Sequence, residues 1–432
     1  MSNLLRLIAA LAVIASALTA APVSQAATTA PKAYIGLFKD NAVAVYDTAT
    51  NSVMKTIPIP TGPHGLVVTP DGRWVYASSD GDSVVSLIDT STDTVVNAID
   101  VGQTPHGLAI TPDGSRVLVA GFGTDSVEAI DTSSNQVVWQ TPVPQPHNIA
   151  ISPDGQTAYA GGQKEGQQQI AIIDIGTGTE TGTFALDHAP RALAVTPDGA
   201  DLTYTLAGVD ALQVLDLSSL QLDTQLPTGV SPHHPLFSAD GKVGMVVAQG
   251  PGELDLFDPT TFSATGSLKV GTMPHWIGQS SDGRWVYVTN ENSNDLTVID
   301  LSDRTVKATI SVGNAPRKIV VQPGAYAATP MFPPSATGAA QASAPAPAPA
   351  AAGADLSIAS FAFSPRSITV KAGQKVTVAN NDGVAHTFTS TAWDSGNIQP
   401  GTSYTLTAPS QAGTYSFHCS IHPFMTGTLV VQ

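Results

Sequence analysis

The chain has 432 residues, with 34 acidic against 18 basic side chains and a formal net charge of −16. That balance argues against a nucleic-acid partner, because phosphate binding needs clustered Lys and Arg. Its single cysteine, Cys419, excludes an internal disulfide and leaves a thiol whose retention in an oxidising compartment calls for a reason.

Residues 1–26 carry one early positive charge at Arg6, an apolar core from Leu7 to Leu18, and small residues before an expected cut after Ala26. This is the pattern of a secretory signal peptide, and it predicts a periplasmic or secreted protein. No later apolar run reaches membrane length, so no span is expected in the mature chain.

A repeat follows. The turn reads TPDG at 69–72, TPDG at 111–114, SPDG at 152–155, TPDG at 196–199, SADG at 238–241 and SSDG at 280–283, with a degenerate QPGA at 322–325. Its Asp and Gly serve turn chemistry. Each unit holds four short alternating runs, as in GLVVT, RWVYASS, SVVSLIDT and TVVNAIDV, which predicts four antiparallel strands per unit. The last unit keeps only its first strand, around KIVVQ, while 33–59 supplies three strands lacking a first. Joining them closes a seven-bladed ring over 30–324 with no long open edge. The repeats resemble the YVTN family of β-propellers, whose tetrad stands here as Tyr287, Val288, Thr289 and Asn290. The resemblance implies the fold and leaves function open, since propellers serve as scaffolds, binding proteins and enzymes.

His64, His106, His147, His233 and His275 each follow the Pro that precedes the first strand of a repeat, and Arg191 and Arg317 hold the same place in the other two. His188 and His234 lie nearby. In a propeller these seven side chains are expected to form a crown at one mouth of the central channel. Three readings stand side by side. The crown is a turn preference copied by duplication, each imidazole bonding to the next blade; or a metal site, since imidazole suits copper; or an anion or small-ligand site, since guanidinium pairs with oxyanions.

Residues 325–354 are rich in Ala and Pro and predict an extended linker. From 355 to 432, short runs broken by Pro, Gly and Asn predict a small Greek-key β-sandwich, making the whole chain all-β. A blue-copper site takes one thiolate, two imidazoles and a weak axial thioether. Cys419, His422 and Met425 share one short loop, and His386 ends an earlier strand region. The tail is similar to the cupredoxin family, closest in wording to amicyanin and plastocyanin-like domains. That resemblance implies one type 1 copper on His386, Cys419, His422 and Met425, with His422 as the exposed electron port. Strand alternation turns His418 to the face opposite Cys419, so it is expected not to ligate.

Propeller followed by cupredoxin is similar in order and blade number to nitrous oxide reductase, although that family's binuclear copper centre needs two cysteines where this chain has one. The leading expectation is an exported electron-transfer protein whose propeller binds a partner or ligand, exchanging electrons with a cytochrome c or a periplasmic oxidoreductase. A copper-dependent oxidoreductase with additional copper in the crown is a second reading. A propeller scaffold with a copper-sensing tail is a third.

Overall fold

The computed structural model describes residues 30–326, 330–332, 355–359, 362–381, 385–420 and 425–432. The expected signal peptide, His422 and nearly all of the expected linker lie outside these residues. The described residues form strands and turns with no helix, and none is therefore a helix long and apolar enough to cross a membrane.

Seven four-stranded antiparallel sheets run from Lys32 to Val321. Six are continuous in sequence, beginning at Pro63, Pro105, Pro146, Pro190, Pro232 and Pro274, and we number them blades one to six. Blade seven is composite. Its innermost strand, Pro316–Val321, pairs with Lys32–Leu37 through Ala33 opposite Val321 and Tyr34 opposite Val320, and Ala42–Asp47 and Ser52–Pro58 complete it. The first and last propeller strands thus close the ring in one sheet, as the complementary half-units predicted.

Burial falls from the channel outward. In blade one the second strand, Trp74–Ser79, is almost wholly buried, whereas the fourth, Thr94–Asp100, buries only Ile99. The core lies between neighbouring blades: Tyr76, Val85 and Leu87 of blade one pack with Leu108, Val117 and Val119 of blade two. The PDG turns lie on the face opposite the crown. At the first, Gly72 takes a φ of 72°, its N–H donates to Thr69 O at 2.8 Å, and Asp71 accepts from Arg73 N–H at 3.0 Å.

The chain leaves blade seven on that same face. Met331 N–H then donates to Ala49 O at 2.7 Å, and Asn51 Nδ2 donates to Met331 O at 3.0 Å, which pins the outgoing segment to the turn between the two outermost strands of blade seven.

The tail forms two facing sheets. One orders Ala362–Ser364, Leu356–Ala359, Lys375–Asn380 and Ser403–Thr407; the other orders Ser367–Val370, Thr426–Val431, Gly413–His418, Thr389–Ser390 and Trp393–Asp394. Val376, Val378, Phe388, Phe417 and Leu429 fill the space between them. This is the small sandwich that the tail pattern predicted.

Candidate metal centre and histidine crown

A register shift aims the crown. In blade three Pro146 pairs with Gly162 and Asn148 with Gly161, so His147 is the extra residue of a β-bulge; Arg191 and His275 stand out of their ladders in the same way. A bulge frees its residue from the alternation of the strand, and here it turns that residue into the mouth. The five imidazoles form a continuous arc: ring centroids are 4.1 Å apart for His106 and His147, 3.5 Å for His64 and His106, 5.8 Å for His64 and His275, and 4.4 Å for His233 and His275.

Two of them bond to the next blade. His106 Nδ1 lies 3.1 Å from His147 O, and His147 Nδ1 lies 2.8 Å from Arg191 O. A carbonyl only accepts, so the His106 ring carries the proton on Nδ1 and leaves an Nε2 lone pair, whereas His147 Nδ1 also meets the Asn148 amide nitrogen at 3.1 Å. The neighbour-blade bond expected from duplicated turns is therefore real at these two positions. It does not extend to His233 and His275, whose buried Nδ1 atoms have no hydrogen-bond partner. Burial holds His64, His106, His233 and His275 well below the ordinary imidazole range and pushes His147 down to about 4, so the arc is neutral at pH 7.

The two guanidiniums are engaged in the walls. Arg317 donates to Glu291 Oε1 from Nε at 3.2 Å and from Nη2 at 3.1 Å, and it lies 3.5 Å over the Phe38 ring. Arg191 donates to Ser231 Oγ at 2.7 Å and Gln249 Oε1 at 2.8 Å. Both sit in the predicted positions, yet these contacts bind Arg191 to blade five, and Arg317 to blade six and to Phe38 of its own blade. Below the arc, the residues after three of the crown residues, His234, Trp276 and Lys318, pack together across the channel. Trp276 stacks on His234 at 3.5 Å, and Lys318 lies 4.5 Å over Trp276 and reaches across to donate to Leu108 O at 2.7 Å. His188 is instead half-exposed and paired with Asp187 at 2.8 Å. Among the described residues no group of three or more His, Cys, Asp or Glu side chains is arranged to hold a metal ion, in the crown or elsewhere.

In the tail, Cys419 and His386 are fully buried and Met425 nearly so. Cys419 Sγ lies 3.7 Å from His386 Nδ1. A metal bonded to nitrogen at about 2.0 Å and sulfur at about 2.3 Å, at trigonal angles, holds the two about 3.7 Å apart. The pair fits that requirement. Thr387 N–H donates to Sγ at 3.3 Å, and Cys419 N–H donates to Met425 O at 3.0 Å, which fixes the methionine beside the thiol.

Thr387 also ties the two ligand-bearing loops together, because its Oγ1 accepts from Ser420 N–H at 2.7 Å. His386 is held by a two-way backbone pairing with Ile398, whose carbonyl also accepts from buried Asn380 at 2.8 Å. His418 is exposed while Cys419 is buried, as strand alternation predicted. Sequence reasoning missed Thr387, Asn380 and Lys318. Adjacency to His386 was the one available signal for the first, and position after the crown residue for the last.

Residues 72–258 match the YNCE-like beta-propeller family and residues 331–431 the Cupredoxin-like domain family. No curated protein matches the sequence. Among solved structures, Kuenenia stuttgartiensis hydrazine synthase is similar at 21% identity, covering 61% of this chain and 91% of that one with a TM-score of 0.56. A functionally unknown protein from Desulfotomaculum acetoxidans matches at 17% identity, 68% and 99% coverage and a TM-score of 0.59. A putative 6-phosphogluconolactonase from Bacteroides fragilis matches at 15% identity, 68% and 98% coverage and a TM-score of 0.56. At such identities the likeness is one of fold. The resemblance to nitrous oxide reductase in domain order gains no support from these matches.

Proposed function

For a chain that joins a YNCE-like β-propeller to a cupredoxin-like domain, we propose an exported electron-transfer protein whose tail holds one type 1 copper and whose propeller binds a partner or ligand. The observation that carries this reading is the 3.7 Å pairing of Cys419 Sγ with His386 Nδ1 under the Thr387 N–H. Cys419 supplies the thiolate, His386 one imidazole and Met425 the axial thioether, with His422 as the second imidazole. A copper ion held there supplies one-electron exchange between its cuprous and cupric states.

The protein's part is rigidity and electrostatics. The Thr387 N–H places a partial positive charge on the sulfur and so tunes the site's potential. The ties from Thr387 to Ser420 and from Asn380 to Ile398 keep the ligand loops in one geometry when the charge changes. Phe388 and Phe417 exclude water behind them, their rings 4.6 Å apart. The electron partner of this reading is a redox protein such as a cytochrome c or a periplasmic oxidoreductase.

The test is copper per chain and the visible spectrum after loading with excess copper and desalting. One copper and an intense blue band that disappears in Cys419→Ser are expected. No band, or a band that survives that substitution, overturns the proposal.

A further inference from the structure

The residue just before the crown proline stands on the rim of the mouth in every blade. In ring order these residues are Gly62, Thr104, Gln145, Ala189, Ser231, Met273 and Ala315. Six are small or polar, as turn chemistry prefers. Met273 is the one large apolar side chain of the set, and it keeps a φ of 58°, where a long side chain is unfavourable. It is nevertheless only 7% exposed. The apolar cluster that buries it belongs to the tail: Met273 is packed in the group that contains Phe388, Phe417, Cys419 and Met425.

Chain length agrees with this contact. The outgoing segment is pinned at Met331 on the face opposite the crown, and 333–354 supplies 22 residues before the tail's first described residue. A chain of that length reaches up to roughly 70 Å. Passing round a blade takes about 20 Å for the height of a six-residue strand and about 15 Å inward across four strands.

We infer that the crown mouth is the docking surface of this chain's own cupredoxin-like domain, anchored at Met273. Docking there brings the Cys419 and Met425 end of the tail to the rim that His275 lines, two residues beyond Met273. The inference rests on packing and tether length. It holds without copper, so its failure and that of the proposed function are separable.

The experiment is small-angle scattering with hydrogen exchange on the metal-free full chain, comparing wild type, Met273→Gly, Met273→Glu and Met273→Leu. Glycine suits the positive φ, so it removes the anchor and spares the ring. Wild type and Met273→Leu are expected to be compact, with a radius of gyration of about 22 Å. Met273→Gly and Met273→Glu are expected to raise it by on the order of 5 Å as the tether releases the domain. They should also speed exchange at least tenfold in peptides covering 413–420. An extended wild type overturns the inference. So do two folded variants that stay compact and protected, or a compactness lost on dilution, which would make a second copy's domain the occupant.

Discussion

Lys318→Met tests the floor of the channel. The amine donates to Leu108 O at 2.7 Å, and burial alone pulls it from 10.5 down to about 7. Above pH 7 the folded protein has released a proton that the unfolded chain keeps until about pH 10.5, so wild-type stability rises with pH across that window. Below pH 7 the penalty is at its full value. At 1.36 kcal/mol per pH unit, that value is about 5 kcal/mol. Methionine removes it at similar volume and leaves Leu108 O without its donor, which costs about 1–3 kcal/mol. The variant should therefore be about 1–3 kcal/mol more stable at pH 7, equal near pH 9, and about 1 kcal/mol less stable at pH 10. Urea unfolding of both proteins from pH 6.5 to 10 reads this directly, because they share every other titrating group. A gap that does not move with pH, or a wild type more stable at pH 7, refutes the reasoning.

Acid should act on the crown. His64, His106, His233 and His275 are held neutral by burial and His147 sits at about 4, so below about pH 6.5 the unfolded chain takes up protons that the fold refuses. Stability should then fall by more than about 3 kcal/mol between pH 7.5 and 4.5, and equal urea midpoints at the two values would count against neutral crown imidazoles. In the tail, Thr387→Val strands the Ser420 N–H and should cost the metal-free domain about 1–3 kcal/mol in thermal unfolding. It should also shift the blue band of the loaded protein, whereas an unchanged melt would show that the two loops are held by other contacts.

The ring was legible because each blade is a set of local hairpins punctuated by a turn with a positive-φ Gly, and because 33–59 lacks the strand that KIVVQ supplies. The crown was legible as a recurring Pro-His or Pro-Arg. Its behaviour was not. The bulge that ejects His147 depends on pairing register, and Arg317 turns to the wall because Glu291 and Phe38 meet it there from two other stretches of the chain. The same holds in the tail. Residue types identify Cys419 and His386 as partners, but the Thr387 N–H on the sulfur is a backbone contact that no side-chain pattern encodes.

The pin at Met331 has a bearing on mass action. By holding the start of the tether to blade seven, it leaves 22 residues between the ring and the tail domain, and so sets the local concentration of that domain at the mouth. Short flexible tethers give effective concentrations on the order of millimolar. At a dissociation constant equal to that, an interface anchored by one methionine is occupied about half of the time, and about tenfold tighter binding fills it about nine-tenths of the time. Weak docking is also fast to release. One tethered domain can therefore alternate between its own crown and an outside partner, and lengthening or shortening 333–354 would change the share of time it gives to each.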